Sequence, residues 1–411
     1  MPEFLELLPP SDALARLLAH LPPSQPRSET VETAQALGRV TAQAVIAAEP
    51  LPAFSRSTVD GYAVRARDTF GISDSLPGYL TLAGEAPMGR APEFSITPGQ
   101  AALIHTGGML PPGADAVVML EYSQPARPGE VELLRAAAPG ENVLRAGEDV
   151  APGEVVLPAG TRLRPAEIGG LMALGQVRVS VARAPRVGIL SSGDEVVDPA
   201  QAVQPGQVRD VNSYTLSALV EARGGCPLRR GILPDRRADL ESALASALAE
   251  CDLVVVTAGS SASTRDLTAE VIDGMGPPGV LAHGVNVKPG KPTILAVCQG
   301  RPVIGLPGNP VSALVIAGLF VAPLVDYLLG LPPGRPRASL PARLTVNLAS
   351  QAGREDWVPV RLLPGPAGYT AEPIFYKSNL IFTLARADGL LHIPADATGL
   401  EAGEQVMVEL L

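Results

Sequence analysis

The sequence predicts a multidomain protein of mixed α/β and β class, with a central doubly wound α/β domain and two mainly β domains. Three observations predict it. The chain has 411 residues, which suits roughly two to four domains rather than one. Its texture changes twice: a helical start gives way to short apolar runs between Pro-Gly turns, and then to alternating strand-like and helical stretches. Between 185 and 330 the strand-like runs are continuously apolar, as expected where both faces of a sheet are covered.

Taken in order, residues 1–45 read as helical, with 12–21 and 31–45 as the candidates. From Ala48 the apolar runs 101–105, 116–120 and 131–134 alternate with Pro98-Gly99, Pro112-Gly113 and Pro128-Gly129, which describes a β domain over 46–146. A strand at 155–157 then precedes a short helix opened by Arg164-Pro165-Ala166-Glu167, with proline where its missing N–H is not needed. In 181–330, strands at 187–190, 228–233, 253–257, 293–297 and 303–306 alternate with helices at 212–222, 238–250, 267–273 and 311–329, the βαβα order of a doubly wound sheet. A Pro-rich linker, 331–336, leads to a region of strands and turns ending at 411, a small β-barrel or sandwich. No internal repeat is evident.

Composition narrows the function. Aromatic residues make up 4% of the chain, so its cores are built from Leu, Val, Ala and Ile. A net charge of -10 argues against a general nucleic-acid binder, which would show a basic face. Of 32 basic residues only Lys288, Lys291 and Lys377 are lysine, and two of these are close neighbours. Cys226, Cys251 and Cys298 are far apart and form no CxxC pair, which points to a reducing cytoplasm and away from disulfides or zinc. His20, His105, His283 and His392 are scattered, so a metal on this chain would be a hard cation on carboxylates, such as Mg²⁺. Met1-Pro2-Glu3-Phe4 lacks the basic start of a signal peptide. The apolar stretch 310–329 is barely long enough to span a membrane and contains Pro323 and Asp326, so a buried helix or an oligomer contact is expected, not a membrane segment.

In an open α/β sheet, ligands bind beyond the carboxyl ends of the strands. Each such end here carries an unusual loop: Ser191-Ser192-Gly193-Asp194-Glu195, then Ala258-Gly259-Ser260-Ser261-Ala262-Ser263-Thr264-Arg265-Asp266, then Pro307-Gly308-Asn309-Pro310 before a helix. Small residues let backbone N–H groups approach an anion, and Asp194, Glu195 and Asp266 are suited to Mg²⁺ beside it. Turn and N-cap chemistry explains any one such loop equally well; three at one edge favour a site. Lys288 and Lys291, in Lys288-Pro289-Gly290-Lys291-Pro292, offer compact charges for an oxyanion. This segment is not a P-loop, since Pro292 stands where Ser or Thr must bind Mg²⁺. No GxGxxG follows a strand, and no GxSxG elbow supports a Ser/His/Asp hydrolase. Asp60 and Asp149, taken alone, are turn acids beside glycine, and the stretch from His105 to Gly108 is unremarkable by spacing.

Together these segments resemble one family, the MoeA-type molybdopterin molybdenumtransferases, which includes the E domain of gephyrin. The resemblance runs from about Glu29 to Leu411. It is carried by 57–64 (STVDGYAV), Thr106 with 111–119 (PPGADAVVM), 140–149 (GENVLRAGED), 187–195 (VGILSSGDE), 288–292 (KPGKP) and 305–310 (GLPGNP), in the family's order. It implies an elongated, dimeric protomer whose first domain is discontinuous, α+β and formed by 1–45 and 147–180, with the 181–330 domain similar to the protein that adenylylates molybdopterin (MogA-like). It also implies insertion of molybdate into molybdopterin-AMP with Mg²⁺ and release of AMP, with the molybdopterin adenylyltransferase as a pathway partner.

Carried onto matching positions, the resemblance singles out the acids Asp60, Asp149, Glu195, Asp266 and Asp235, together with Thr106, Lys288, Lys291, Pro307 and Pro310. Asp60, Glu195 and Asp266 are expected to hold Mg²⁺, the two lysines to attract oxyanions, and Asp149 and Thr106 to orient molybdate or water. Ser191–Gly193 and Pro307–Asn309 are expected to cradle phosphate and pterin. In the dimer, Asp60 would complete the partner's cleft. The chain departs from the family's pattern at Ser55, where an acid is common, in the 258–266 loop with its Arg265, and in Lys377-Ser378-Asn379-Leu380. A non-catalytic scaffold or divergent paralogue on the same fold is the alternative. An enzyme sharing only the 181–330 domain, such as a nucleotide or pyrophosphate hydrolase, does not account for the Asp60 and Thr106 segments.

Overall fold

The computed structural model describes residues 7–258, 262–334, 336–375 and 377–411, with the side chains of 258 and 262–266 outside that description. The chain forms two compact units, Met1–Thr30 with Gly38–Ala42 and Ser180–Leu411, and Val31–Leu37 with Gln43–Val179.

The larger unit contains the α/β sheet. Its strands lie in the order Cys226–Leu233, Arg186–Ser192, Leu253–Ala258, Arg301–Pro307, Ile294–Cys298 and Pro278–His283. The first four are parallel; Ile294–Cys298 pairs antiparallel with Arg301–Pro307, and Pro278–His283 pairs antiparallel with Ile294–Cys298 in turn. The expected strands are present, but the sheet is mixed, because Ile294–Cys298 runs against the others, and Pro278–His283 adds an edge that the sequence reading did not contain. Pro277-Pro278-Gly279 reads as turn punctuation, yet proline is tolerated as the first residue of an edge strand, where no ladder N–H is required. Strand order reverses between Arg186–Ser192 and Leu253–Ala258, which places the topological switch there. Asn212–Ala222 and Arg237–Glu250 are helices at the expected places. The apolar stretch runs as continuous helical turns over Pro310–Leu328, 19 residues long. Val311, Ile316, Phe320, Val321 and Leu324 on it are fully buried in the same core as Val187, Ile189 and Val255, so it is a core helix.

Helix Pro10–Ala19 packs into that core through Ala13 and Leu17, spaced four apart on one face. Residues 31–45 are not helical. Ser28–Glu32 is a strand paired with Arg178–Ala182, followed by a single 3₁₀ turn, Thr33–Gln35. The Thr33 N–H donates to Val177 O at 2.9 Å and its hydroxyl to Gln176 O at 2.5 Å, bonds to distant backbone that outcompete a local helix.

The same unit ends in a barrel. Glu355–Gly365, Gly368–Pro373, Ser339–Leu344, Gln405–Leu410 and Gly389–Ile393 pair in turn, and the last closes on the first. Val360, Ala371, Leu391 and Val408 fill it. The short strand Val287–Lys288 leaves the α/β domain and pairs with Glu355 and Asp356 of the barrel.

The smaller unit holds an open sheet in the order Ala116–Met119, Gly61–Val64, Gln100–Ile104, Gly78–Glu85, Glu130–Leu133 and Ser123–Pro125. Val64, Leu80, Val131 and Leu133 pack on one face, and Ala63, Ile104 and Val117 on the other. Helix Pro165–Ala173 begins as expected, with proline in the first turn and Glu167 reaching back to the Arg164 N–H at 2.8 Å.

Candidate functional site

In the smaller unit three of the motifs lock together at Ser57, which is buried. The Ser57 N–H donates to Gly108 O at 3.0 Å, and the Gly107 N–H donates to Ser57 O at 2.8 Å. On the other side Ser57 pairs with Val143, and the Thr58 N–H donates to Asn142 O at 3.0 Å. Ser55, the departure from the family's pattern, accepts the Ala146 N–H on its hydroxyl at 3.2 Å, so it ties the Asp60 segment to the Asp149 segment.

Asp60 therefore projects from a turn held on both flanks. Gly61, which follows it, pairs with Ile104 and with Met119, and a Cβ there would overlap the Val118 carbonyl oxygen; only glycine lets these strands close. The pairing brings Thr106 beside Asp60. Asp60 Oδ1 accepts the Thr106 N–H at 2.7 Å and the Thr106 hydroxyl at 3.2 Å. The amide first, then the hydroxyl, holds the exposed Asp60 carboxyl below its usual range, and His105 adds in the same direction. His105 Nδ1 lies 3.7 Å from Asp60 Oδ1, and its Nε2 lies 3.1 Å from Glu85 Oε1. Neither His105 nor Glu85 stood out in the sequence. Asp149 is exposed, with its N–H donating to Leu51 O at 3.0 Å.

In the larger unit the register aligns one row across the sheet: Leu233 beside Ser192, Ser191 beside Thr257, Thr257 beside Leu306, and Gly305 beside Ile294. The loops leaving this row carry Asp235, Asp194, Glu195, Pro307–Pro310 and Lys291. Ser192 Oγ donates to Asp235 Oδ1 at 2.5 Å, and the Asp235 N–H donates to Asp194 Oδ1 at 3.3 Å. Ser191 Oγ donates to Asp210 Oδ2 at 3.0 Å. Asp210, 7% exposed, also accepts from the Ser213 N–H at 3.1 Å and the Ser213 hydroxyl at 2.6 Å. Gly193 has φ +149°, and a Cβ on it would stand 2.8 Å from Glu195 Oε2, so glycine leaves the half-buried Glu195 carboxylate its place. Among the described residues, no hydrogen bond or ion pair engages that carboxylate.

Pro310 opens the core helix, with Asn309 before it. Asn309 Nδ2 donates to Ser378 Oγ at 3.1 Å, and the Val311 N–H donates to Ser378 O at 3.0 Å. Asn212 Nδ2 donates to Gly308 O at 2.8 Å. The lysine loop is seated by Gly290, whose Cβ would overlap Ile316 of the core helix. Lys288 is 62% exposed on its side chain, with Nζ 3.9 Å from Asp356 Oδ2. Asp356 is already gripped by Arg354 at 2.7 and 3.0 Å, which leaves most of the Lys288 charge uncommitted. Lys291 is exposed.

Gly259 lies outside the described residues, as does the Asp266 side chain. Asp60 and Glu195 belong to different units. Among the described residues no three His, Cys, Asp or Glu side chains are grouped to hold a metal. A cavity of about 350 Å³, lined by Arg186, Leu228, Arg230 and Glu250, opens at the amino ends of the strands, away from this row.

The chain matches the MoeA N-terminal region (domain I and II) over residues 8–175, a probable molybdopterin binding domain over 188–327 and the MoeA C-terminal region (domain IV) over 341–411. It is 34% identical over 390 residues to the molybdopterin molybdenumtransferase of Nostoc sp., covering 94% of this chain and 89% of that one. It is 35% identical over 387 residues to molybdopterin molybdenumtransferase 2 of Mycobacterium tuberculosis, covering 93% and 95%. The chain belongs to the MoeA family of molybdopterin molybdenumtransferases. The crystal structure of the molybdopterin biosynthesis MoeA protein from Pyrococcus horikoshii superimposes with a TM-score of 0.86 at 33% identity, over 99% of this chain and 100% of that one. Membership makes the chain a transferase of molybdenum-cofactor biosynthesis. Within the family frame, Asp210 and Ser378 are the supports the sequence reading missed. Asp210 precedes a helix start and had that N-cap signal. Ser378 lies in the 377–380 stretch that departs from the family's pattern, but it is 69 residues from Asn309 and nothing local pointed to that contact.

Proposed function

We propose that the protein inserts molybdate into adenylylated molybdopterin, forming molybdenum cofactor and releasing AMP. The observation that carries this is the single row of loops at the carboxyl edge, where Ser191–Glu195, Asp235, Pro307–Pro310 and Lys291 leave the sheet together beside its switch point. The substrate brings phosphates, and molybdate is a dianion, whereas the protein carries a net charge of -10. Negative charge must therefore be gathered locally. Lys288 and Lys291 attract the oxyanions, and the Ser191–Gly193 and Pro307–Asn309 loops cradle phosphate and pterin. Asp60, Thr106 and Asp149 are assigned to the same reaction as orienting groups, with Asp60 also a cation ligand.

Mg²⁺ is proposed as the accompanying cation. The donor set fits it, being carboxylate oxygen without thiolate or clustered imidazole, and Mg²⁺ on phosphates needs only one or two protein carboxylates. Glu195, whose carboxylate is unengaged, and Asp266 would hold it, with Asp60 supplied across the proposed dimer. When bound it would neutralise phosphate charge and polarise the anhydride. The four-domain division, a homodimer, a cytoplasmic location and supply of substrate by the molybdopterin adenylyltransferase belong to the same proposal.

The test is AMP release from purified molybdopterin-AMP with Mg²⁺, with and without molybdate. Molybdate-dependent release with active cofactor formed is the expected result. No release by folded protein that still binds the substrate would overturn the proposal in favour of a non-catalytic binding protein.

A further inference from the structure

We infer that Glu85 and His105 form a positioning pair that fixes the orientation of the Asp60 carboxylate. The inference rests on the reading of Asp60 as a residue of the transferase site. All the contacts to Asp60 converge on Oδ1: the Thr106 N–H at 2.7 Å, the Thr106 hydroxyl at 3.2 Å and His105 Nδ1 at 3.7 Å. No described residue bonds Oδ2, which is thus the oxygen presented outward. The two Thr106 donors come from one residue and meet one oxygen, so they act as a hinge about which the carboxylate can still swing. The imidazole supplies the third point, from a second residue.

The ring itself is fixed at its far end. Nε2 meets Glu85 Oε1 at 3.1 Å, and Glu85 ends the strand Gly78–Glu85, in parallel register with Leu103 two residues before His105. Sheet pairing therefore sets where Glu85 stands, Glu85 sets the rotation of the ring, and the ring limits the swing of Asp60. All three side chains are about half exposed, and exposed ion pairs of this kind add little to stability. What the arrangement changes is the orientation of one carboxylate.

The test compares Asp60→Asn, His105→Ala, Glu85→Gln and the His105→Ala/Glu85→Gln double variant in the full chain. With molybdopterin-AMP and molybdate, His105→Ala and Glu85→Gln should each lower kcat about tenfold and leave KM within about twofold, since orientation rather than binding is lost. The double variant should be no slower than His105→Ala, because Glu85 acts only through the ring. Independently of turnover, long-range ¹H–¹⁵N spectra of the protein alone should show the His105 ring nitrogens shifting in both Glu85→Gln and Asp60→Asn; four histidines make the assignment tractable. If Asp60→Asn is inactive but His105→Ala and Glu85→Gln keep wild-type kcat, or their effects multiply, the pair is ordinary surface and the inference fails alone. Wild-type turnover by Asp60→Asn would remove Asp60 from the site and the inference with it.

Discussion

Gly61→Ala tests the steric frame around Asp60 directly. Gly61 is paired on both sides, to Ile104 and to Met119. An added Cβ would overlap the Val118 carbonyl oxygen, and would stand 2.9 Å from the Val118 carbonyl carbon and 3.1 Å from Met119 Cα. Non-bonded carbon atoms prefer separations of about 3.5–4.0 Å and the oxygen is nearer still, so the strands would have to part by about 1 Å or more. The obstacle is backbone inside a sheet, not the tip of a side chain. Overpacking of this kind costs about 1–3 kcal/mol. Gly61 is not in a positive-φ conformation, so the substitution also stiffens the unfolded chain, which offsets about 0.4–1 kcal/mol. The expected net loss is about 1–2 kcal/mol, a fall in Tm of about 2–8 °C for a unit of this size. Because the Leu120 N–H donates to Asp60 O at 3.1 Å, the displacement passes to Asp60, and AMP release should fall about tenfold or more. Calorimetry and the AMP assay read the two effects. A Gly61→Ala protein with wild-type Tm and wild-type turnover would refute the steric reasoning.

Other perturbations separate support from chemistry. Glu195→Ala should leave the melting curve unchanged and strongly reduce AMP release; near-wild-type turnover would remove it from the site. Lys288→Ala/Lys291→Ala should weaken binding of molybdate or of the nucleotide substrate, measured by titration calorimetry, with unchanged affinity counting against both lysines. Asp210→Ala removes the acceptor shared by the Ser191 hydroxyl, the Ser213 N–H and the Ser213 hydroxyl, and should cost about 2–4 kcal/mol, seen as a lower urea midpoint at constant slope. Arg164 chiefly holds the Glu167 carboxyl down at about 2, against an ordinary 4.5. The folded value is the lower one, so the stabilisation is complete above pH 4.5 and is lost as pH falls toward 2. Arg164 is well exposed, so the effect is discounted to about 1 kcal/mol, as for other helix caps, and Glu167→Gln should flatten the acid slope of Tm.

The parallel strands were legible because burial on both faces leaves a signature independent of neighbours: 187–190 and 253–257 are almost wholly apolar. The helix over 212–222 matches Asn212–Ala222, where the pattern and the preceding Asp210 agree. Residues 31–45 were misread because their conformation is set by Val177 and Gln176, far along the chain, which no local pattern can report. The Asp60 and Asp149 segments look like isolated turns in sequence; register, through Ser57 and Val143, makes them neighbours. Glu85 and His105 escaped notice for the same reason, since they meet only through strand pairing.

The acids of the two units fall into two kinds by what already touches them. Asp210 and Asp235, and Asp60 through Oδ1, accept hydrogen bonds from hydroxyls or backbone and so serve as supports. The Glu195 carboxylate and Asp60 Oδ2 have no such partner among the described residues. An unengaged carboxylate beside a loop proposed to bind an anion would repel a phosphate or molybdate, and in a protein of charge -10 that repulsion is reinforced from a distance. Two features relieve it. Lys288 is left largely uncommitted because Arg354 satisfies Asp356, and Lys291 is exposed on the same glycine-seated loop. A divalent cation between carboxylate and phosphate would supply the rest, which is why the proposed need for Mg²⁺ follows from charge balance as well as from family. The same balance predicts that removing the lysines makes turnover more dependent on the cation, because the remaining positive charge must then come from it.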